Sequence, residues 1–378
     1  MVNDWPTAKL GNVIDLFDSQ RVPLNSRQRQ ERQGDYPYYG AQGIIDHIDG
    51  YIFDGRYILV AEDGENLNSK KLPLALFATG KFWVNNHAHI LRGKLDIADD
   101  TFLLACLNNA DIKPYVTGAA QPKLSQGNLR LIEIPLPPLS MQRRIASILS
   151  AYDELIENDH LRIRLLEDMA RSLYREWFVH FRYPGHETVP LVDSPLGQIP
   201  QGWEVRVVED VLKRVPSGKK YDQKSASPIG TVPILDQGKS GIIGYHDGEP
   251  GVCATEDNPV IVFANHTCYQ RLNLFPFSAI QNVLPFVPNP SLKRNIYWLH
   301  WATNGLIVFN DYKGHWPEFI AKELIVPPLK ITERFGFFAS PITREILKLE
   351  RAIENLRRTR DMLLPRLLSG QVVLDVDV

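Results

Sequence analysis

Two stretches of the chain come close to catalytic motifs, and both fail on residue type. Residues 238–240 read Gly-Lys-Ser, the ending of a phosphate-binding P-loop, but the first glycine of that motif would have to be residue 233, which is Pro233. Residues 137–138 are Pro-Pro within LPPL, without the preceding Asn or Asp and the following aromatic residue of a DNA amino-methyltransferase. Neither stretch predicts a nucleotide site or a methyl-transfer site.

Two further clusters of polar residues also lack the spacing that chemistry requires. His87 and His89 alternate as strand residues do, so one should point inward and the other outward, and no cysteine or carboxylate stands at metal-ligand spacing. Glu62 and Asp63, followed by Lys70 and Lys71, loosely echo a nuclease site without its second acidic strand. We therefore predict no metal, no catalytic residue and no enzymatic activity for this chain on its own.

Basic residues in loop-like stretches have the chemistry for binding nucleic acid. Arginine and lysine bind phosphates and guanine edges, whereas asparagine and glutamine suit adenine edges. We predict DNA contacts from Arg27, Arg29, Lys70, Lys71 and Lys123 in the first half, and from Lys219, Lys220, Lys239, Arg271 and Lys313 in the second. The alternative for each of them is an ordinary solvated surface position.

The composition is that of a globular protein without a strong charge bias. The chain has 378 residues, 44% of them hydrophobic and 23% charged, and a net charge of −2. This excludes a strongly basic, histone-like binder, so DNA binding would need local patches or a basic partner. Three cysteines without Cys-x-x-Cys spacing fit a reducing cytosol. Since neither a secretory leader nor a membrane-spanning apolar run is present, we expect a cytoplasmic protein.

The chain repeats itself at a constant offset of 190 residues. Residues 134–178 align without a gap with residues 324–368, and both copies carry Pro-Pro-Leu followed by apolar residues at alternating spacings of three and four. This spacing predicts one long helix per copy, each with a narrow seam of the coiled-coil type. The predicted seam consists of Tyr152, Ile156, Ile163, Leu166, Leu173, Trp177, Ile342, Ile346, Leu349, Ile353, Leu356, Leu363 and Leu367.

Cap signals give the expected limits of these two helices. Ser150 and Ser340 are predicted N-caps, the second with Pro341 at the first helical position, and Pro365 with Ser369-Gly370 predicts the end of the second helix. Because the chain order is globule, helix, globule, helix, we expect the helices to pack antiparallel and to be related by a pseudo-twofold axis. The alternative is that each helix packs on its own globule.

The segments before the helices echo each other more faintly. Each contains Gly-Ile-Ile in a turn-rich stretch and a later apolar run, residues 57–61 and 260–264. We predict an α+β fold with two similar mixed α/β globules joined by two long antiparallel helices packed as a coiled coil. The predicted boundaries are a first globule at 1–139, a helical spacer at 140–182, a linker at 183–202, a second globule at 203–329 and a C-terminal helical spacer at 330–372.

The order of these motifs resembles the DNA specificity subunits of type I restriction–modification systems. The resemblance is carried by 117–125 (TGAAQPKLS), 134–139 (IPLPPL), 172–178 (SLYREWF), 193–203 (DSPLGQIPQGW) and 360–370 (RDMLLPRLLSG). The second half departs from the family at 310–319, where NDYKGHWPEF replaces the segment of the TG-x-x-x-P-x-L-S type. Recognition residues vary within the family, so the resemblance assigns none of them here.

The resemblance implies a division of labour among subunits. The two globules would be target-recognition domains that read a bipartite, asymmetric double-stranded DNA site, and the helices would dock two methyltransferase subunits. Those partners would bring S-adenosylmethionine and methylate adenine N6, and restriction subunits with nuclease and translocase activity would use ATP and magnesium. This chain itself would hold no cofactor.

Three alternatives stay open on the sequence. The same reader module could serve a different methyltransferase system. The chain could be a cryptic DNA nuclease or methyltransferase. It could also be a helical scaffold without DNA binding, which its near-neutral charge allows.

Overall fold

The computed structural model of the chain describes residues 5–118, 121–238, 241–309, 313–372 and 374. They form two compact units: the first draws on Met1–Asn158 and Ala352–Val378, and the second on Asp159–Arg351. Each unit therefore contains one globule and a section of each long helix.

In the described part of the first unit, the globule is built from ten strands and five short α-helices. The strands are β1 (Thr7–Lys9), β2 (Ile14–Leu16), β3 (Gln33–Gly40), β4 (Gly43–Ile48), β5 (Phe53–Asp54), β6 (Tyr57–Ala61), β7 (Ala75–Ala78), β8 (Lys81–Val84), β9 (Ala88–Gly93) and β10 (Glu133–Pro135). The helices are α1 (Leu10–Val13), α2 (Ser26–Gln30), α3 (Asn66–Ser69), α4 (Asp100–Asn109) and α5 (Gln126–Leu131). The strands form sheets of order β2-β9-β6-β7, β4-β3-β8-β5 and β1-β10.

The globule of the second unit repeats this plan. Its strands are β11 (Leu191–Ser194), β12 (Gly197–Pro200), β13 (Glu204–Val207), β14 (Leu212–Arg214), β15 (Lys220–Tyr221), β16 (Val232–Leu235), β17 (Ile242–His246), β18 (Val260–Ala264), β19 (Gln270–Asn273), β20 (Ser278–Ile280), β21 (Val283–Pro288) and β22 (Glu323–Val326). Its short helices are α7 (Val208–Val211), α8 (Ile296–Thr303) and α9 (Trp316–Ile320). The sheets are β14-β21-β18-β19, β15-β20-β16-β17, β13-β22 and the β11-β12 hairpin.

The two globules share one topology except at one edge strand. The strands β3 and β8 run parallel, as do β16 and β20, and the sheets around β6 and β18 are antiparallel in both units. The outer strand beside β8 is β5, which is antiparallel to it, whereas the outer strand beside β20 is β15, which is parallel. The predicted α+β class with two similar globules is confirmed.

Alternation along the central strands explains the two apolar runs in the sequence. In β6, Ile58 and Val60 belong to the core beside the helices, while Leu59 belongs to the core between the sheets. In β18, Ile261 and Phe263 face one core while Val260 and Val262 face the other. A strand that is buried on both faces has no polar side and reads as a continuous apolar segment.

The two long helices are α6 (Leu139–Tyr174), which continues into a π-helical turn at Arg175–Val179, and α10 (Leu329–Leu368). Within the second unit, Arg162 pairs with Glu345 at 3.0 Å and the rings of Trp177 and Phe335 lie 6.1 Å apart. Residue numbers thus rise along α6 while they fall along α10, so the helices pack antiparallel.

All the predicted seam residues are buried or half-buried. Toward the helix ends they enter the globular cores: Leu363 and Leu367 pack in the core of the first unit, and Leu173 and Trp177 in that of the second. Among the described residues, no helix has the length and apolarity needed to cross a bilayer.

The predicted N-caps at Ser150 and Ser340 are wrong, because both serines lie inside helices. The helices begin directly after the Pro-Pro pairs, where the Pro138 carbonyl accepts hydrogen bonds from the amides of Met141 and Gln142. Pro341 removes a single amide donor, and the helix continues through it because the preceding turn is anchored in the core by Phe335 and Ala339, both fully buried. Likewise α10 continues past Pro365.

The predicted linker at 183–202 is partly ordered, since the hairpin β11-β12 occupies much of it. Gly197 at its turn has φ +93°, a conformation that favours glycine. The predicted helical spacers are also not separate bodies, because each long helix is divided between the two compact units.

Buried polar residues at equivalent repeat positions fix the start of each long helix. The Gln142 side chain accepts a hydrogen bond from the Asp99 amide and donates to the carbonyls of Ile97 and Pro137. At the same position of the second repeat, the Thr332 hydroxyl accepts from the Asn295 amide. Asp99 and Asn295 are the N-caps of α4 and α8, so each long helix is attached to the globular helix before it.

Candidate nucleic-acid interface

Strand directions bring distant loops together at one edge of each central sheet. In the first unit, β2 and β6 are both antiparallel to β9, so β2 and β6 end where β9 begins. The segment before α5 joins them, because the Leu124 amide donates to the Glu62 carbonyl and the Gly64 amide to the Pro122 carbonyl. We call residues 17–21, 62–64, 85–89 and 121–125 the first loop edge.

A buried network of charges holds the first loop edge together. His89, which is fully buried, lies with Nδ1 2.6 Å from Asp18 Oδ2 and Nε2 2.8 Å from the Leu124 carbonyl oxygen. Glu62 accepts from Arg21 at 2.7 Å and lies 3.2 Å from the Lys123 ammonium. The network connects four stretches of chain that are far apart in sequence.

Both carboxylates of this network are held in the charged form. Burial opposes ionisation of Asp18, but hydrogen bonds from His89 and the Ile90 amide and the charge of Arg21 together hold its pKa below the ordinary value. Burial likewise opposes ionisation of Glu62, and its contacts with Arg21, His89 and Lys123 outweigh it, so its pKa is also lowered. Most of the charge on this edge is thus compensated internally.

The two histidines of the first loop edge face opposite ways, as predicted. His89 points into the protein, whereas His87 is exposed and its Nδ1 lies 2.7 Å from Asp63 Oδ2. Across the described residues, no group of three or more histidine, cysteine, aspartate or glutamate side chains is placed to hold a metal ion.

The second unit forms the corresponding edge with different side chains. The strands β14 and β18 end where β21 begins, and we call residues 214–220, 265–268, 281–283 and 313–316 the second loop edge. Asn265 takes the place of Glu62: its amide donates to the Asn282 carbonyl, as that of Glu62 does to the His87 carbonyl, and its side-chain oxygen accepts from the Trp316 amide at 2.8 Å.

The hairpin β16-β17 reaches the second loop edge through the turn after β18. The His266 amide donates to Gln237 Oε1 at 2.9 Å, and its ring Nδ1 lies 2.9 Å from the Lys313 carbonyl oxygen. The Thr267 hydroxyl donates to the Gln237 carbonyl. Hydrogen bonds of the amide side chains of Gln237 and Asn265 and of the Thr267 hydroxyl therefore join the stretches of this edge.

Three cationic side chains of the second loop edge lie between the end of β14 and the start of β15. The Arg214 guanidinium lies 4.8 Å above the Trp316 ring, and the Lys219 ammonium lies 5.1 Å above the ring of Tyr221. Lys220 donates to the Ser217 hydroxyl at 2.5 Å. All three side chains are exposed to solvent.

The predicted DNA-contacting residues divide by their partners. Four of them form ion pairs: Arg27 with Glu31, Arg29 with Asp46, Lys123 with Glu62, and Arg271 with Glu350. Lys70 donates to the Ala110 carbonyl, and Lys71 is exposed. Lys239 lies outside the described residues.

The loop edges gather only some of the predicted residues. Lys123, Lys219, Lys220 and Lys313 lie on them, whereas Arg29 and Arg271 are attached to the hairpin β3-β4 and to α10. The sequence reasoning missed Arg214 and Trp316, which are 102 positions apart in the chain and meet through the fold. Nothing in the local sequence of either residue indicated this contact.

Comparisons with known proteins were made for sequence and for fold. Residues 3–167 match the family described as type I restriction modification DNA specificity domain. A putative type I restriction enzyme specificity subunit from Haemophilus influenzae is 38% identical over 147 residues, which are 39% of this chain and 37% of that protein. The MjaIX specificity subunit from Methanocaldococcus jannaschii is 27% identical over 282 residues, 69% of this chain and 65% of that protein.

The fold resembles a solved structure over nearly its whole length. The type I restriction-modification S subunit from M. genitalium superposes with a TM-score of 0.63 at 14% sequence identity, covering 96% of each chain. The sequence alignments to the first curated relatives, by contrast, span from about a third to two thirds of those proteins' lengths.

Two globules of one topology, combined with two long antiparallel helices, define the class as a duplicated two-domain protein of mixed α/β structure. Over residues 3–167 the chain matches the family of type I restriction modification DNA specificity domains, and over nearly its whole length its fold is similar to that of a solved S subunit.

Proposed function

We propose that this chain is the DNA-specificity subunit of a type I restriction–modification complex and reads a bipartite, asymmetric target. One observation carries the proposal: the two units place the same loops at the same sheet edge but equip them with different side chains. Asp18, Glu62 and His89 mark the first edge, whereas Arg214, Asn265 and Trp316 mark the second. Edges of one shape and different chemistry suit two unlike half-sites, since base edges are read by hydrogen bonds.

The proposal assigns the chemistry to partner subunits. We propose that two methyltransferase subunits dock on the helical region and bring S-adenosylmethionine, and that restriction subunits bring ATP and magnesium. The chain itself acts as a reader without catalytic residues. Exposed apolar side chains on α6, namely Leu161, Leu165 and Met169 at spacings of four, support a partner surface on this helix.

The purified chain and its complex test the assignment. Alone, the chain is expected neither to cleave DNA with magnesium nor to methylate it with S-adenosylmethionine. Together with its partner methyltransferase subunits, it should confer adenine methylation and salt-dependent DNA binding. Methylation or cleavage by the isolated chain would contradict the proposal, as would methylation by the partner subunits that is identical with and without this chain.

A further inference from the structure

The cations of the second loop edge lie where a strand end, a loop and a helix start converge. Arg214 is the last residue of β14. After a short loop, Lys219 directly precedes β15 and Lys220 is the first residue of that strand. Trp316, the first residue of α9, supplies the surface on which the Arg214 guanidinium lies. A guanidinium on an indole face is held in place while its N–H groups remain available, as bidentate phosphate binding requires.

These cations have no carboxylate partner among the described residues. Neither Arg214, Lys219 nor Lys220 takes part in any of the ion pairs of the described chain, whereas Arg27, Arg29, Lys123 and Arg271 all do. The positive charges of Arg214 and Lys220 also repel each other. Neighbouring protein atoms partly exclude water from both exposed groups, and this effect, together with the nearby charge of Arg214, lowers the pKa of Lys220. The same partial desolvation lowers the pKa of Arg214. Binding of an anion would reduce the repulsion between the positive charges of such a cluster.

We infer that Arg214, Lys219 and Lys220 form a binding site for DNA phosphates on the second loop edge. The inference rests on the proposed function and adds an asymmetry to it. At the first loop edge, Arg21 forms ion pairs with Asp18 and Glu62, and Lys123 forms one with Glu62. Phosphate binding there would compete with these ion pairs. At the second edge, phosphate binding by these three cations breaks no ion pair among the described residues. This edge should therefore supply the larger part of the salt-dependent affinity for DNA.

Salt dependence of DNA binding measures this site directly. Each phosphate neutralised contributes about 0.9 to the slope of log affinity against log salt concentration. In the full chain purified with the subunits that accompany it, the double variant Arg214→Gln with Lys220→Gln should lower the slope by about 1.8 on a short duplex of mixed sequence. The measurement spans roughly 50 to 200 mM salt.

Two further variants make the test specific. Lys219→Gln with Lys220→Gln leaves the Arg214–Trp316 contact intact and should lower the slope by the same amount, so an effect of lost packing is separated from an effect of lost charge. Lys293→Gln with Lys322→Gln removes two positive charges from the second globule, outside the second loop edge and outside both long helices, and should leave the slope unchanged. Circular dichroism melts confirm that each variant is folded.

The outcomes separate the inference from the function. If the unaltered complex binds DNA and both edge variants keep the slope of the unaltered complex, the phosphate site is wrong and the proposed function stands. A slope lowered equally by the Lys293 and Lys322 control would also overturn the site, because the effect would then be one of net charge. If the unaltered complex shows no salt-dependent binding to DNA, the proposed function itself fails.

Discussion

Single side chains decide how closely the elements of each unit approach. Gly336 lies inside α10, where helix propensity favours alanine by about 1 kcal/mol. A Cβ at this position would lie 2.3 Å from Asn295 Nδ2. The Asn295 side chain has no freedom to move away, because its oxygen caps α8 by accepting from the Tyr297 amide.

We therefore expect Gly336→Ala to lower the free energy of unfolding by about 1–3 kcal/mol, despite the better helix propensity of alanine. Urea unfolding followed by circular dichroism measures the change. Gly127→Ala is the matched control, since Gly127 lies in α5 and its nearest neighbour would be Ser125 Oγ at 3.9 Å. That control should be neutral or stabilising by up to about 1 kcal/mol. Equal effects of the two substitutions would contradict the close-packing argument.

At the scale of elements, the loop edges differ in how they are held. The segment before α5 is attached to the first sheet through Asp18, Glu62 and His89, whereas the segment before α9 is attached to the second sheet through the neutral Asn265. One backbone hydrogen bond is common to both edges, since the Leu124 amide donates to the Glu62 carbonyl and the His315 amide donates to the Asn265 carbonyl.

This difference predicts an acid sensitivity confined to the first loop edge. The pKa values of Asp18 and Glu62 lie below their ordinary values of 3.8 and 4.5. A carboxylate whose pKa is lower in the folded state contributes stability that is present above the unfolded pKa and is lost as the pH falls through the folded pKa. Amide protection of residues 121–131 should therefore fall several-fold below about pH 4, with Arg21, His89 and Lys123 losing their partners.

Hydrogen exchange with correction for intrinsic rates measures this effect. The Trp316 amide serves as the internal control and should keep its protection over the same range, because the Asn265 side chain that accepts its hydrogen bond does not titrate. Glu62→Gln should remove part of the pH dependence of the first edge. Loss of protection at both edges to the same extent would show that the charge network is not the cause.

The sequence predicted elements better than it predicted contacts. Apolar periodicity, repeated at a constant offset, identified both long helices and their seam, and the two apolar runs identified the central strands β6 and β18. The helix starts were misplaced because Ser150 and Ser340 have the residue type of N-caps, whereas the first turns at Leu139 and Leu329 are fixed by tertiary hydrogen bonds of Gln142 and Thr332.

The candidate site was predictable only in part, for the same reason. A basic residue in a loop carries the chemistry for phosphate, but its carboxylate partner is chosen by the fold. Glu350 lies 79 positions from Arg271, and Glu62 lies 61 positions from Lys123. No local pattern separates such paired residues from Lys219 and Lys220, which the fold leaves without a carboxylate among the described residues.

At the scale of the whole molecule, duplication provides two corresponding loop edges on one polypeptide. The shared topology of the globules keeps each loop edge in the same place relative to its own sheet, while the side chains on the edge have diverged. The central claim is that each edge reads its own half of one DNA target.

Methylation mapping in cells that carry this chain with its partner subunits tests the claim most directly. The account predicts methylated adenines in two short, unlike sequences separated by a fixed gap of unread base pairs. Replacing the second loop edge residues 265–268 and 313–316 with those of a relative should change one half of the motif and leave the other half as it was. A single uninterrupted motif, or a change in both halves, would contradict the account.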